Sequence, residues 1–167
     1  MADSRIKKHN YAVYLNNGTS ASPSWVRIEK ATDFTRALNV ETEERNYIAD
    51  EHATTVIKEY KPSEGLTVDC YKGNPDFEMF YELYKSLATG TDAEKEMLLV
   101  SKFDPVEVEG VTDPAYYAEL CKCSIAVGEF NVSESQMSVT VYENGNKTAG
   151  YAVYGTDGLP EFTADEN

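Results

Sequence analysis

The feature that most constrains this sequence is a run of more than twenty residues, from position 36 to position 61, that contains neither proline nor glycine. Polar and apolar residues alternate in it as in a β-strand. The alternation produces an apolar side only in the first half of the segment. At about 3.3 Å per residue, a strand over residues 33–48 would be roughly 50 Å long. A compact domain of this length has a diameter of about 40 Å. The segment is therefore predicted to bend, or to protrude as a long hairpin with its tip at residues 50–53.

A protruding two-stranded hairpin has little stability in water unless something packs against it. We therefore expect residues 40–60 to contact another subunit, with charges that set the register between subunits more than they add affinity. The candidate contact residues are Glu43, Glu44, Arg45, Tyr47, Ile48, Asp50, Glu51, Lys58 and Glu59. Two alternatives remain open: an ordinary solvated hairpin, and two shorter strands separated by an irregular loop near residues 43–54.

The rest of the chain is predicted to be mainly β, a β-sandwich or barrel of antiparallel strands. Alternating segments and turn residues predict this arrangement. The predicted strands cover residues 11–16, 25–28, 95–103 (ending at Asp104-Pro105) and 116–130, with a last hairpin whose turn is Asn144-Gly145 and whose strands are 137–142 and 148–154. The long hairpin lies between the second and third strands of this scheme. A single domain over residues 1–167 is expected, with an N-terminal arm at 1–9 and an acidic tail at 155–167 that is either an arm or frayed.

One flanking α-helix is predicted in NPDFEMFYELYKSLATG. Asn74 suits the N-cap, Pro75 the first helical position and Gly90 the residue after the last turn, which gives a helix of about fifteen residues. Its apolar side is predicted to cover one face of the sandwich. The residues of that side are Phe77, Phe80, Tyr81, Tyr84, Leu87 and Ala88.

The charge of the chain bounds its partners. Fifteen basic and 29 acidic residues give a net charge of −14, which argues against tight binding to a phosphate backbone. No apolar run is long enough to cross a bilayer and no signal peptide is recognisable, so we expect a cytoplasmic protein without a membrane partner. Three cysteines are then expected to be reduced thiols.

Residues with catalytic or metal-binding potential form no convincing pattern. Cys121 and Cys123 lack further ligands nearby, and are interpreted as small buried apolar residues. His9 and His52 have no nucleophile in a suitable context. Acidic pairs are expected by chance in so acidic a chain. We therefore predict no enzyme activity, no cofactor and no metal.

The order of several segments resembles the major tail tube proteins of long-tailed bacteriophages and prophages. The segments that carry this resemblance are YAVYLNNGTSASPSWVRIEKATDF, NYIADEHATTVIKEYKPS, YKGNPDFEMFYELYKSLATGTDAEKEMLLVSKFDP and CKCSIAVGEF. They span residues 11–130, and their order and spacing carry the likeness. The resemblance implies a phage tail tube-like fold in six-membered rings that stack into a hollow tube for genome ejection. It also implies a virion protein assembled in the bacterial cytoplasm, with the tape measure, tail terminator and baseplate or tail-tip proteins as partners.

The acidic charge has a natural place in such a tube, because DNA has to slide past its wall without binding. The polar sides of the predicted strands supply the candidate lumen residues. These are Asn39, Glu41, Glu43, Thr67, Asp69, Ser138 and Thr140, whereas Leu66, Val68, Cys70, Val139 and Val141 are expected to face the domain interior. The acidity alternatively serves solubility alone. Two other functions remain open: a monomeric Ig-like or carbohydrate-binding module, and the inner tube of a contractile tail or secretion device.

Overall fold

The computed structural model describes residues 3–166, in which ten strands, one α-helix and two short 3₁₀ turns form. The strands are β1 Tyr11–Asn16, β2 Trp25–Arg27, β3 Ala31–Ala37, β4 Val40–Arg45, β5 Thr54–Tyr60, β6 Ser63–Asp69, β7 Glu94–Val106, β8 Ala115–Asn131, β9 Gln136–Tyr154 and β10 Pro160–Ala164. The helix α1 spans Pro75–Ser86, and the 3₁₀ turns span Lys8–Asn10 and Gly90–Ala93. The prediction of a mainly β protein with one helix is confirmed.

Eight strands form one antiparallel sheet in the order β2-β1-β7-β8-β9-β6-β3, with β10 paired to a second stretch of β9. The sheet curls into a half-barrel. Val26 of edge strand β2 and Phe34 of the opposite edge strand β3 pack against the same core, which requires this curl. The remaining strands, β4 and β5, form a separate two-stranded sheet.

The main core lies on the face that the alternation predicted. Leu66 and Val68 of β6 and Val139 and Val141 of β9 are at most 3% exposed, and Cys70 is half-buried beside them. Cys121, Cys123 and Ile125 of β8 complete this apolar side, so the thiols are buried as expected. Burial of such side chains contributes roughly 1.5–3 kcal/mol each, which makes this face the main source of stability.

Helix α1 is fastened to the sheet by a buried carboxylate. Asp76 is 0% exposed and accepts hydrogen bonds from the backbone N–H groups of Glu29 and Lys30, both at 3.0 Å. Asn74 occupies the N-cap position, but its side chain donates to Asp76 and does not cap the backbone. The start of the helix is thereby fixed to the connection between β2 and β3.

The inward side of α1 is partly the predicted one. Phe80 is buried and Phe77 and Tyr81 pack against the core as predicted, and Met79 is buried as well, whereas Tyr84 is 39% and Leu87 is 78% exposed. The helix also ends earlier than predicted, after twelve residues. Leu87 adopts the left-handed conformation at φ 48° and its N–H bonds to the carbonyls of Leu83 and Tyr84, so the expected stop at Gly90 is wrong.

The long hairpin is present but has two parts. Strands β3 and β6 form its base within the main sheet, and β4 and β5 form its outer part. The strand is interrupted at Asn39, which has a left-handed φ of 46° and donates its side-chain N–H to the Lys61 carbonyl. Strand β4 ends at Arg45, so a strand that continues to Ile48 is wrong, and residues 46–53 form an irregular tip.

The predicted last hairpin is wrong. Gly145 does have a positive φ of 69°, but the chain does not reverse there. Strand β9 continues for 19 residues because β8, with 17 residues, keeps pairing with it through a register shift at Leu120/Lys122. Asn144-Gly145 therefore belongs to a bulge, and the chain reverses at residues 132–135 and 155–159.

The structure also differs from the prediction at the end of β7 and in the acidic tail. Strand β7 continues through Pro105 to Val106. After a register shift that follows Ser101, Pro105 pairs with Tyr116 at a position where the strand does not need the backbone N–H that proline lacks. The predicted acidic tail contains β10, which pairs with residues 150–154. Of the predicted N-terminal arm, residues 3–7 have no regular structure and Met1 and Ala2 lie outside the described residues.

Candidate assembly surface

The outer part of the long hairpin, residues 38–61, is here called the ribbon. Every residue of β4 and β5 is exposed, and these strands pair with each other outside the main sheet. The tip carries Ile48, whose relative exposure of 109% means that its side chain is fully open to solvent. A two-stranded sheet in this state has no core of its own and little stability alone in water.

One face of the ribbon is apolar near its middle. Val40 pairs with Tyr60, and Thr42 pairs with Ile57, so these four side chains share a face. The large members are 47%, 52% and 54% exposed, in the order Val40, Tyr60 and Ile57. We call Val40, Ile57 and Tyr60 the apolar stripe.

The opposite face is charged and largely pairs within itself. Lys61 Nζ bonds Glu41 and lies 3.4 Å from Glu59, while Arg45 lies 3.7 Å from Glu43. Glu41 pairs with Glu59 and Glu43 with Val56 in the register, which places them away from the apolar stripe. Exposed pairs of this kind contribute little stability.

All nine predicted contact residues are exposed. They do not form one patch: Glu43, Arg45 and Glu59 belong to the charged face, whereas Glu44 lies on the face of the apolar stripe. Tyr47, Ile48, Asp50 and Glu51 lie in the tip, where the Asp50 N–H bonds the Tyr47 carbonyl. The stripe itself was missed as a set, because the bulge at Lys58 changes which residues of β5 share a face.

At the base of the ribbon lies a cluster of charged side chains, which we call the root cluster: Arg36, Glu64, Glu119, Glu143 and Lys147. Arg36 donates from Nε and Nη2 to the two carboxylate oxygens of Glu143 at 2.8 and 3.0 Å, and from Nη1 to Glu119 at 3.1 Å. Lys147 donates to Glu119 at 2.6 Å. The cluster joins β3 of the hairpin to β8 and β9 of the body.

Glu64 is the unusual member. It is 0% exposed, and neither carboxyl oxygen has a hydrogen-bond partner among residues 3–166, although Arg36 Nε lies 3.3 Å away. Burial, together with neighbouring Glu143, raises the pKa of Glu64 to about 9, despite the opposing charge of Arg36. Glu64 therefore carries a proton at neutral pH.

Glu119 behaves in the opposite way. Burial alone would raise its pKa, but hydrogen bonds from Lys147 and Tyr117 and the charges of Lys147 and Arg36 hold that pKa below its ordinary value. The root cluster thus contains one protonated and one firmly ionised carboxyl group. Arg36, Glu119 and Tyr117 also border a cleft of about 770 Å³ between the sheet edges.

Sequence reasoning missed the root cluster, although a signal for it was present. Glu64 precedes Leu66 and Val68 at the spacing of the buried side of β6, and Glu143 follows Val141 in the same way on β9. Charged residues in register with an apolar side indicate a buried polar network.

The predicted lumen residues fall into two separate groups. Thr67 pairs with Ser138, and Thr140 and Asp69 share their side of the main sheet, opposite the core. Asn39, Glu41 and Glu43 instead belong to the ribbon and its junction. A role in lining a lumen stays a prediction for both groups.

Two further observations concern metal sites and membrane spans in the described residues. Within residues 3–166, no group of three or more His, Cys, Asp or Glu side chains is arranged to hold a metal ion. In that same part of the chain, no helix is long and apolar enough to cross a membrane.

Comparison with solved structures places the fold. No protein-family model and no curated protein matches the sequence. A chain of the anti-feeding prophage cap, described as the tube-terminating cap, is similar with a TM-score of 0.50 at 11% identity over 89% of this chain and 93% of that one. The fold is shared with components of contractile injection particles. A chain of the sheath–tube complex of the extracellular contractile injection system PVC gives a TM-score of 0.50 at 8% identity, with 88% of this chain and 92% of that one covered.

A chain of the sheath/tube terminator of the same PVC system also matches, with a TM-score of 0.49 at 9% identity over 89% of this chain and 99% of the other. At such identities the likeness concerns the fold, and the role of this chain has to be argued from its own surfaces.

Proposed function

We propose that this chain is a structural subunit of a phage-tail-like tube. It assembles into six-membered rings, and the rings stack into a hollow conduit. The single observation that carries this function is the exposed ribbon with its apolar stripe. An outward arm that has no core of its own gains order and buried apolar area when it lies on a neighbouring copy.

The geometry of a protruding arm suits a stack. An arm that leaves one side of a subunit and binds a different surface of the next copy forms a head-to-tail contact, and such contacts generate rings or open-ended polymers. The fold shared with chains of the anti-feeding prophage cap and the PVC sheath–tube complex supports this proposal and favours the inner tube of a contractile particle among tube types. We expect the tape measure, terminator and baseplate proteins of such a particle as partners.

The acidic charge supports a conduit for DNA. The chain has a net charge of −14, and a tube wall that carries part of this charge repels phosphates, so a genome passes without the tight non-specific binding that lysine and arginine produce. Thr67, Asp69, Ser138 and Thr140 remain our candidates for that wall from the main sheet.

The register of the ribbon allows a clean deletion. Arg45 and Thr54 are paired, so residues 46–53 can be replaced by Asn-Gly, the preferred two-residue hairpin turn. We expect the unaltered chain to form rings and tubes in negative-stain micrographs, and the shortened chain to keep its circular dichroism spectrum but form no tubes.

Two results would contradict the proposal at different points. Normal tubes from the shortened chain would show that the tip has no role in stacking. Light scattering that finds the unaltered chain monomeric at high concentration would exclude a self-assembling tube subunit and favour a monomeric binding module.

A further inference from the structure

The Arg36–Glu64 pair lies at the point where the ribbon leaves the body. These two residues are register partners on β3 and β6, and only Ala37–Ser63 follows before the interruption at Asn39. Arg36 reaches from β3 to Glu119 on β8 and Glu143 on β9. The direction in which the ribbon leaves is therefore linked to the contacts of this guanidinium group, alongside the backbone bond from the Glu143 N–H to the Pro62 carbonyl and the pairing of β6 with β9.

The charges around Glu64 do not balance when every group is ionised. Facing it are Arg36 from β3, Glu143 from β9 and Glu119 from β8, with Lys147 of β9 bonded to Glu119. Three carboxylates then meet two cations, and Lys147 is committed to Glu119. The other titratable neighbours are Tyr117, Cys121 and Cys123 of β8, which are neutral at physiological pH because burial raises their pKa values.

We propose that Arg36 is the positioning residue of the ribbon, and that it holds the ribbon in one direction only while Glu64 carries a proton. With the proton present, the Glu64 carboxyl group is neutral and Arg36 stays bonded to Glu143 and Glu119. Without it, a second carboxylate competes for Arg36 in a buried site, which is unfavourable. Separation of the pairs Ser63–Tyr142 and Glu64–Val141, at the end of β6 next to the ribbon, relieves this repulsion while the rest of β6 stays paired with β9.

The consequence for assembly rests on the proposed function, since the ribbon is the contact element of the tube. A ribbon held in one direction is pre-organised for its neighbour, whereas a loosened ribbon has to be ordered on binding. The raised pKa of Glu64, about 9, places the loosening in mildly alkaline solution. Assembly is then favoured below that pH and weakened above it.

The direction of the ribbon can be measured in the isolated subunit. Spin labels on cysteines at Ala53 in the tip and Ser86 at the end of α1, in a chain with Cys70→Ser, report the distance by pulsed electron paramagnetic resonance. Both positions are exposed. We expect a narrow distance distribution near pH 7 and a broad one near pH 10, with the midpoint near the folded pKa of about 9.

Substitutions identify the group responsible. Glu64→Gln keeps the shape of the protonated form and should remain narrow at both pH values. Glu44→Gln removes an exposed carboxylate of the ribbon and should respond to pH as the unaltered chain does. Arg36→Lys retains the charge but not the two parallel bonds to Glu143, and should broaden the distribution even near pH 7.

A broadening that Glu64→Gln leaves unchanged would overturn the proposal. If that variant fails to fold, Glu143→Gln replaces it. Removal of the neighbouring charge should lower the midpoint pH of the broadening, and an unchanged midpoint would overturn the proposal. Light scattering on the same samples separates the proposed role of Arg36 from the proposed tube function. A pH-dependent distance in a chain that never polymerises would contradict the tube function and leave the role of Arg36 intact.

Discussion

Val40 and Tyr60 face each other across the first register pair of the ribbon, and both side chains remain about half exposed. Ile57 lies on the same face, so three large apolar side chains form a stripe without a cover in the subunit. Val56, on the opposite face, is 36% exposed and lies among charged residues. Ile57 and Val56 therefore allow the same substitution to be compared on the apolar and the charged face of the ribbon.

Ile57→Asp should prevent tube formation while Val56→Asp leaves most of it. Both replacements introduce a charge on an exposed strand of the same hairpin, so their effects on folding are similar and small. They differ in the face that carries the charge, and a charge without a partner at an apolar contact weakens binding strongly. Negative-stain microscopy and sedimentation of the two variants measure the difference. Equal assembly by both would exclude the apolar stripe as the contact.

Glu119→Gln should destabilise the fold by about 2 kcal/mol near pH 7, because Arg36 and Lys147 lose a buried charged partner. The lowered pKa of Glu119 contributes stability above its unfolded value, and this contribution is lost as the pH falls through the folded pKa. The difference between variant and unaltered chain should therefore shrink in acid. Urea unfolding at several pH values measures it, with Glu129→Gln, on an exposed part of β8, as the control. A difference that persists undiminished in acid would show that charge is not the cause.

Leu87→Gly should stabilise the protein by about 0.5–1 kcal/mol, since a left-handed conformation is unfavourable for leucine and free of strain for glycine. The Leu87 side chain is 78% exposed, so little packing is lost. Leu87→Ala, which keeps the strain, should change stability much less. Thermal unfolding of the unaltered chain and the two variants measures these differences in stability. A loss of stability in the glycine variant would mean that the Leu87 side chain makes a stabilising contact.

Gly150→Ala should detach β10 from β9. A Cβ atom at this position would collide with the backbone of Thr163 and of Ala164, and Ala164 is the register partner of Gly150. Overpacking of this kind costs about 1–3 kcal/mol. Limited proteolysis should then cut the variant within residues 155–166 faster than the unaltered chain, and Gly128→Ala, which meets no close contact, is the control. Equal cutting rates would show that the two strands move apart without cost.

Local pattern was sufficient to predict much of the fold. The alternation of β6 and β8, the helix and the long hairpin followed from residues within each segment. The Asn144-Gly145 turn failed because the choice between turn and bulge depends on β8, a distant partner that keeps pairing beyond that point. The predicted helix stop at Gly90 failed because Leu87, three residues earlier, adopts the left-handed conformation and ends the helix, although it is not glycine.

The sequence predicted a hairpin that bends or protrudes, and β4, β5 and the tip are exposed. Contact of these residues with another subunit stays a prediction. The apolar stripe depends on a one-residue bulge, which shifts the faces of β5 and cannot be read from alternation. The root cluster required knowledge of which strands adjoin, because Arg36 and Glu143 are 107 positions apart in sequence.

Strand β9 has a consequence for the order in which the molecule forms. Along one edge it pairs with β8, its immediate neighbour in the chain, and along the other it receives first β6 and then β10. Contacts between neighbours form sooner than contacts across a long loop. The β8–β9 hairpin is thus a template for the sheet, yet it is synthesised after β1 and β6. Until then, β1 and β6 hold apolar residues with no sheet to join, so a newly synthesised N-terminal half is the stage most exposed to aggregation.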